Sequence, residues 1–253
     1  MDAHDSAGLE IRGPAVGLHD EPLRLHARGA GPDADVMWQA RHLDDDARVW
    51  RATAARPARL LEALAPAKAG TGAVAALSSL RPVSLEVRVQ APDGRAATRT
   101  LTRRLAGEGV RVRRWRDGLA ATLHLPAADA ACATVLIDAT AGRAEAQVAA
   151  LAASLLASRG ALVLAVAAAP GNVAPADQVA RAGERLAAVP ASSTDPVRLR
   201  AVGHDAPLAP PDAGVAVVSL PPGVGARDQD AAAAPARAAA WDALLAQLGA
   251  VPR

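Results

Sequence analysis

Residues 132–167 read CATVLIDATAGRAEAQVAALAASLLASRGALVLAVA. The first part, residues 133–137, is a continuous apolar run too short for a helix, which suits a strand buried on both faces. Residues 143–158 then place Val148, Leu151, Leu155 and Leu156 at helical spacing, and residues 161–167 form a second apolar run. The apolar stretch 149–169 is long enough to raise a membrane span. Arg159-Gly160 divides it, so it reads as a buried helix followed by a buried strand. Strand, helix and strand in this order predict a parallel sheet with helices on its faces.

Downstream the alternation continues. A helix is expected over 176–188, strands over 197–202 and 214–220, and a closing helix over 231–248 with Trp241, Leu244, Leu245 and Leu248 on one face. Upstream the pattern is different. Short strands are expected over 9–12, 23–28, 36–42, 48–53, 83–90, 97–105, 110–115 and 119–125. Gly31-Pro32-Asp33, Asp44-Asp45-Asp46, Pro92-Asp93-Gly94 and Asp117-Gly118 supply turn chemistry between several of them. Strands at this spacing predict an all-β, immunoglobulin-like sandwich over residues 1–128, followed by a shortened α/β domain over 129–253. Residues 57–80 interrupt the strands and read as a short helix and a loop.

Composition narrows the function classes. The chain has 253 residues, 51% of them hydrophobic, so a core is available and global disorder is not expected. Phe and Tyr are absent. The scarcity of residues with AT-rich codons fits a GC-rich coding sequence, and it leaves a core of Ala, Val and Leu that buries little area per residue. A formal charge of +2 is not the footprint of a nucleic-acid binder, so no nucleic-acid partner is expected. In the densest basic stretch, 95–116, Val110-Arg111-Val112-Arg113 alternates like a half-buried strand with its charges in water. Cys132, the one cysteine, reads as a small buried hydrophobe, and no metal-type cluster is present. Met1-Asp2-Ala3-His4-Asp5 lacks secretory character, so a cytoplasmic location without membrane insertion is expected.

Residues 195–207 read DPVRLRAVGHDAP. A strand ending in Gly203-His204-Asp205 resembles the nucleophile elbow of α/β-hydrolases, with Asp205 at the nucleophile position and Pro207 where a second glycine belongs. Val16-Gly17-Leu18 leading to residues 23–28, Met37-Trp38-Gln39-Ala40, residues 118–126 and residues 238–245 extend the likeness in co-linear order. Together they resemble the acyl-CoA thioesterase and bile acid-CoA:amino acid N-acyltransferase family. That resemblance implies attack of a Ser or Cys on an acyl-CoA thioester, assisted by a His and an Asp, and an acyl-CoA or related thioester as partner. No metal or other cofactor is expected.

Each requirement of that chemistry meets a departure here. Asp205 replaces the nucleophile. His204 is the last histidine of this sequence, whereas the triad order on this fold is nucleophile, acid, histidine. Pro207, Pro210 and Pro211 oppose the helix that would offer an oxyanion N–H. The glycine-rich loop expected after the first strand is Asp138-Ala139-Thr140-Ala141-Gly142, with only Gly142 of its glycines. The expected function is therefore a protein of acyl-thioester lineage with its triad lost. The alternative is an active thioester hydrolase with a rearranged pair, in which His124 or His26 serves Asp205 or Ser219. Plainer readings stand beside these: a turn carboxylate for Asp205, a surface residue for His204, a structural role for His124, a loop cap for Ser219 and a solvated turn for residues 44–46. The edge of a shortened sheet offers a route to homo-oligomers.

Overall fold

The computed structural model describes residues 8–31, 34–61, 63–67, 79–115, 121–130, 132–138, 143–167, 200–203 and 216–219, together with positions 177, 181, 184, 239, 241–243 and 245–246. The described residues are mostly strand, arranged in three sheets, with few helices. The chain divides into two compact units. Residues up to Arg104, apart from a short segment at 76–80, belong to the first, and residues 105–226 belong to the second.

The first unit contains β1 (Glu10–Arg12), β2 (Val16–Leu18), β3 (His26–Arg28), β4 (Met37–Leu43), β5 (Val49–Ala54), β6 (Ala65–Pro66), β7 (Val83–Gln90) and β8 (Ala96–Arg104). β1 and β3 form a two-stranded sheet, and the others form a six-stranded sheet in the order β2-β8-β7-β4-β5-β6. Alternation decides the faces. In β7, Val83, Leu85, Val87 and Val89 are buried while Ser84, Glu86 and Arg88 are exposed. Trp38, Trp50, Leu85 and Leu101 fill the inner face. These two tryptophans provide the bulk that missing Phe and Tyr would otherwise supply.

Two arginines of β8 also point inward. Arg99 donates to the carbonyls of Ile11 and Gly13, and Arg103 donates to those of Leu18 and Glu21. They cross-link β8 to the N-terminal segment. Burial lowers the Arg103 pKa, and the charges of Glu21 and Asp20 oppose that effect. Gly17 lies close beside it: a Cβ there would lie 2.7 Å from the Arg103 guanidinium, so the end of that side chain would have to shift. The β4–β5 hairpin is built on Asp44. Its carboxylate accepts from the N–H groups of Asp46 and Arg48 and from the indole Nε1 of Trp50, at 2.9–3.0 Å. The solvated turn expected at residues 44–46 is therefore half right: Asp45 and Asp46 are exposed, but Asp44 is buried.

The second unit contains β9 (Arg111–Trp115), β10 (Ala121–Leu125), β11 (Cys132–Asp138), α1 (Arg143–Ala157), β12 (Ala161–Ala167), β13 (Arg200–Gly203) and β14 (Ala216–Ser219). Its sheet is mixed, in the order β14-β13-β11-β12-β10-β9. β11 to β14 run parallel, and β10 is antiparallel to both β12 and β9. Residues 151–157 of α1 are all buried, as is β12 from Ala161 to Val166. The turn between them ends at Gly160, whose φ of 91° favours glycine. Of the two remaining expected helices, positions 177, 181 and 184 are helical and exposed. Near the C-terminus Trp241 and Leu245 are buried one helical turn apart, and Leu244 and Leu248 lie outside the described residues.

The change of sheet differs from the expected boundary at residues 128–129. β9 and β10 join the second sheet, and the units divide at Arg104–Leu105. The physical reason is visible in β10, where Leu123, His124 and Leu125 are all buried in succession. That pattern belongs to a strand covered on both faces, not to one wet on one side. β9 is the edge strand. Arg111, Val112, Arg113 and Arg114 are all exposed, so Val112 does not take the half-buried place expected for it. Charged side chains on an edge strand oppose edge-to-edge pairing, which weakens the route to self-association at this edge.

Candidate functional site

In the second sheet β11 lies between β12 and β13. The chain leaves β11 toward one neighbour and returns to the other side, so the order reverses at the β11–β13 junction. Ligands of open α/β sheets bind outside the carboxyl ends of the strands at such a switch point, because the two departing connections separate there and leave a crevice.

The register places the expected site residues at that end. Asp138, the last residue of β11, pairs with Ala167, the last of β12. Gly203, the last of β13, pairs with Ser219, the last of β14. Leu136 pairs with Val202, which brings the two sets level. The backbone thus gathers Asp138, Gly203 and Ser219 at one edge of the sheet. Gly142, His204 and Asp205 lie outside the described residues.

The expected base is elsewhere. His124 pairs with Val163 of β12, and Val163 pairs with Thr134 of β11. Thr134 is four residues short of Asp138, about 13 Å back along the strand at ~3.3 Å per residue. β10 and β14 are also separated by three intervening strands, so the span from His124 to Ser219 exceeds about 19 Å at ~4.8 Å per strand. His124 does not pair with Ser219. His26, the other candidate base, is an exposed residue of β3 in the first unit.

The hydroxyls that His124 does meet are different ones. Its Nδ1 lies 3.0 Å from Ser154 Oγ on α1, and its Nε2 lies 3.1 Å from Thr122 Oγ1 on β10. Thr122 and His124 are two apart on one strand and so share a face. His124 and Ser154 are both completely buried. Burial lowers the His124 pKa to about 4, which keeps the ring neutral near pH 7, with one nitrogen donating and the other accepting. An imidazole against a hydroxyl is the first half of a nucleophile–base pair. Here it has neither access for a substrate nor a carboxylate partner among the described residues, and a base this weak removes a serine proton poorly. Its role is to satisfy buried polar groups where β10 meets α1. Ser158 extends the same seam, donating to the Ser154 carbonyl at 2.7 Å and accepting from the Gly107 N–H at 2.6 Å.

The sequence signal for this network was the Thr122-x-His124 spacing; the choice of Ser154 as partner had none. Among the described residues no group of three or more His, Cys, Asp or Glu side chains could hold a metal ion. The Asp44 carboxylate is already engaged by three N–H donors, so it is not a cation ligand. No helix among the described residues is long and apolar enough to cross a membrane. No protein-family model matches the chain, and no curated protein matches it.

Proposed function

We propose that this chain is a degenerate relative of the acyl-CoA thioesterase and acyltransferase family, which has kept a thioester-binding crevice and lost triad hydrolysis. On this reading the first unit corresponds to the family's immunoglobulin-like β-sandwich, and the second to a shortened α/β-hydrolase domain. The observation that carries it is the position of β13. The strand whose sequence resembles an elbow strand ends at the topological switch point, beside the end of β11, where a hydrolase needs its nucleophile. Loss of hydrolysis rests on the residue types. An aspartate stands at the elbow, and the imidazole carried by this sheet is buried about 13 Å back along the strands and committed to Ser154 and Thr122.

An acyl-CoA panel followed by thiol release, paired with calorimetric titration of the same thioesters, tests both parts. Saturable binding is expected, with turnover at the buffer rate and unchanged in Asp205→Ala. Turnover well above buffer that disappears in Asp205→Ala would establish a working hydrolase with Asp205 as its nucleophile. Absence of any thioester binding would remove the family reading.

A further inference from the structure

The solvent face of the first unit carries a site that this reading does not use. β4, β5 and β7 present two polar rows there. Arg51, Arg41 and Glu86 lie side by side in register, and Thr53, Gln39 and Arg88 form the next row. These six side chains line a concavity of about 440 Å³. That size suits a small organic molecule.

Three features point to an anion. Arg41, Arg51 and Arg88 are exposed, and none has an ion-pair partner among the described residues. Other surface arginines do: Arg12, Arg48 and Arg95 each hold a carboxylate at 2.7–2.8 Å. Arg41 also faces Arg51 directly across the ladder, and like charges directly opposite destabilise a strand pair unless something neutralises them. Two guanidiniums set side by side match the oxygens of a phosphoryl group, which each can bind in bidentate fashion.

Glu86 narrows the choice of ligand. It faces Arg41 from the other side, so a carboxylate sits inside the basic patch. A continuous array of phosphates, as on a nucleic acid or an anionic membrane, would be repelled there. A ligand with one compact anionic group and neighbouring hydroxyls would instead donate to Glu86 and to the Gln39 and Thr53 acceptors. We infer that the Gln39–Arg41–Arg51–Glu86–Arg88 face of the first sheet binds a small hydroxylated phosphate monoester, with Arg41 and Arg51 on the phosphoryl group and Glu86 on a hydroxyl.

Calorimetric titration of the full chain with ribose 5-phosphate, inorganic phosphate and ribose tests this. Saturable binding of ribose 5-phosphate is expected with Kd below about 1 mM. Inorganic phosphate should bind at least about tenfold more weakly, and ribose not measurably, since the charge-assisted contacts supply most of the affinity. Arg41→Gln with Arg51→Gln should abolish binding, with far-UV circular dichroism unchanged because both side chains are exposed. Glu86→Gln should reduce the preference for the ester over inorganic phosphate. The assignment fails if no saturable binding of ribose 5-phosphate is seen, or if binding survives in the double variant. It also fails if a single-stranded oligonucleotide or a phosphatidylserine vesicle competes more strongly than the monoester.

Discussion

The two sheets solve the shortage of large apolar residues in different ways. The first concentrates bulk: Trp38 and Trp50 sit on an inner face otherwise made chiefly of Leu, Val and Ala with His42 and Arg103 among them, and β4, β5 and β7 are wet on their other side. The second spreads burial over many small residues. Ala161 to Val166 of β12 and the last two turns of α1 are buried without interruption, and the side chains are chiefly Ala, Leu and Val. The first sheet therefore depends on a few residues, while the second depends on continuous close packing. Their buried polar groups differ in the same sense. Asp44 is satisfied by three donors drawn from a hairpin and an indole, whereas His124 is satisfied by two hydroxyls and stays neutral. A protein poor in aromatics can thus afford a two-faced sheet only where its tryptophans stand.

Trp50→Ala should test that contrast hardest. Trp50 is fully buried, stacks on His42 with ring centroids 6.2 Å apart and donates to Asp44. Its loss should cost about 4 kcal/mol in chemical denaturation, the upper range for a core truncation. A loss under about 1 kcal/mol, typical of a surface site, would show that the first core is not concentrated in its tryptophans.

Acidification should reach the second sheet through His124. The folded protein holds this ring neutral, with its pKa lowered to about 4, while the unfolded chain titrates near the ordinary value of 6.5. Between these values the unfolded state binds more protons, so stability is complete above pH 6.5 and falls as pH drops toward 4. The full loss amounts to about 3 kcal/mol, from a shift of roughly two and a half pKa units. Melting temperatures from pH 7 to pH 4 should show that slope, and His124→Gln should flatten it. An equal slope in the variant would assign the acid sensitivity to other groups.

Asp44→Ala leaves the Trp50 indole N–H buried without its acceptor and frees two turn N–H groups. A loss of about 2 kcal/mol is expected in urea denaturation. The smallest effect belongs to Gly17→Ala, about 1 kcal/mol, because the new methyl group meets the end of a flexible side chain, Arg103, and not backbone. If Gly17→Ala proved as costly as Trp50→Ala, the Arg103 cross-link would rank with the aromatic core.

Much of the strand pattern was legible. β7 alternates strictly from Val83 to Val89, and both expected ends, Val83 and Gln90, agree with the structure. The apolar run at Ala161–Ala167 and the break at Arg159-Gly160 also read correctly. β2 was missed as a strand because three residues carry no period, and its partner β8 lies more than eighty residues away. The site was legible only as residue types. Nothing in the order of residues announces that Ser219 lies level with Gly203, or that His124 faces Ser154, since each meeting depends on which strands became neighbours.

Sequence alone determined the longer strands such as β4, β5, β7 and β12, the helix between β11 and β12, and which side of β7 faces water, because these follow from local periodicity and turn chemistry. Tertiary structure alone decided that β9 and β10 belong to the second sheet, that the ends of β11 and β13 share a switch point and that His124 is sealed away from them. Those outcomes come from pairing over long chain separations, where the burial of whole strands outweighs any preference written within a single one.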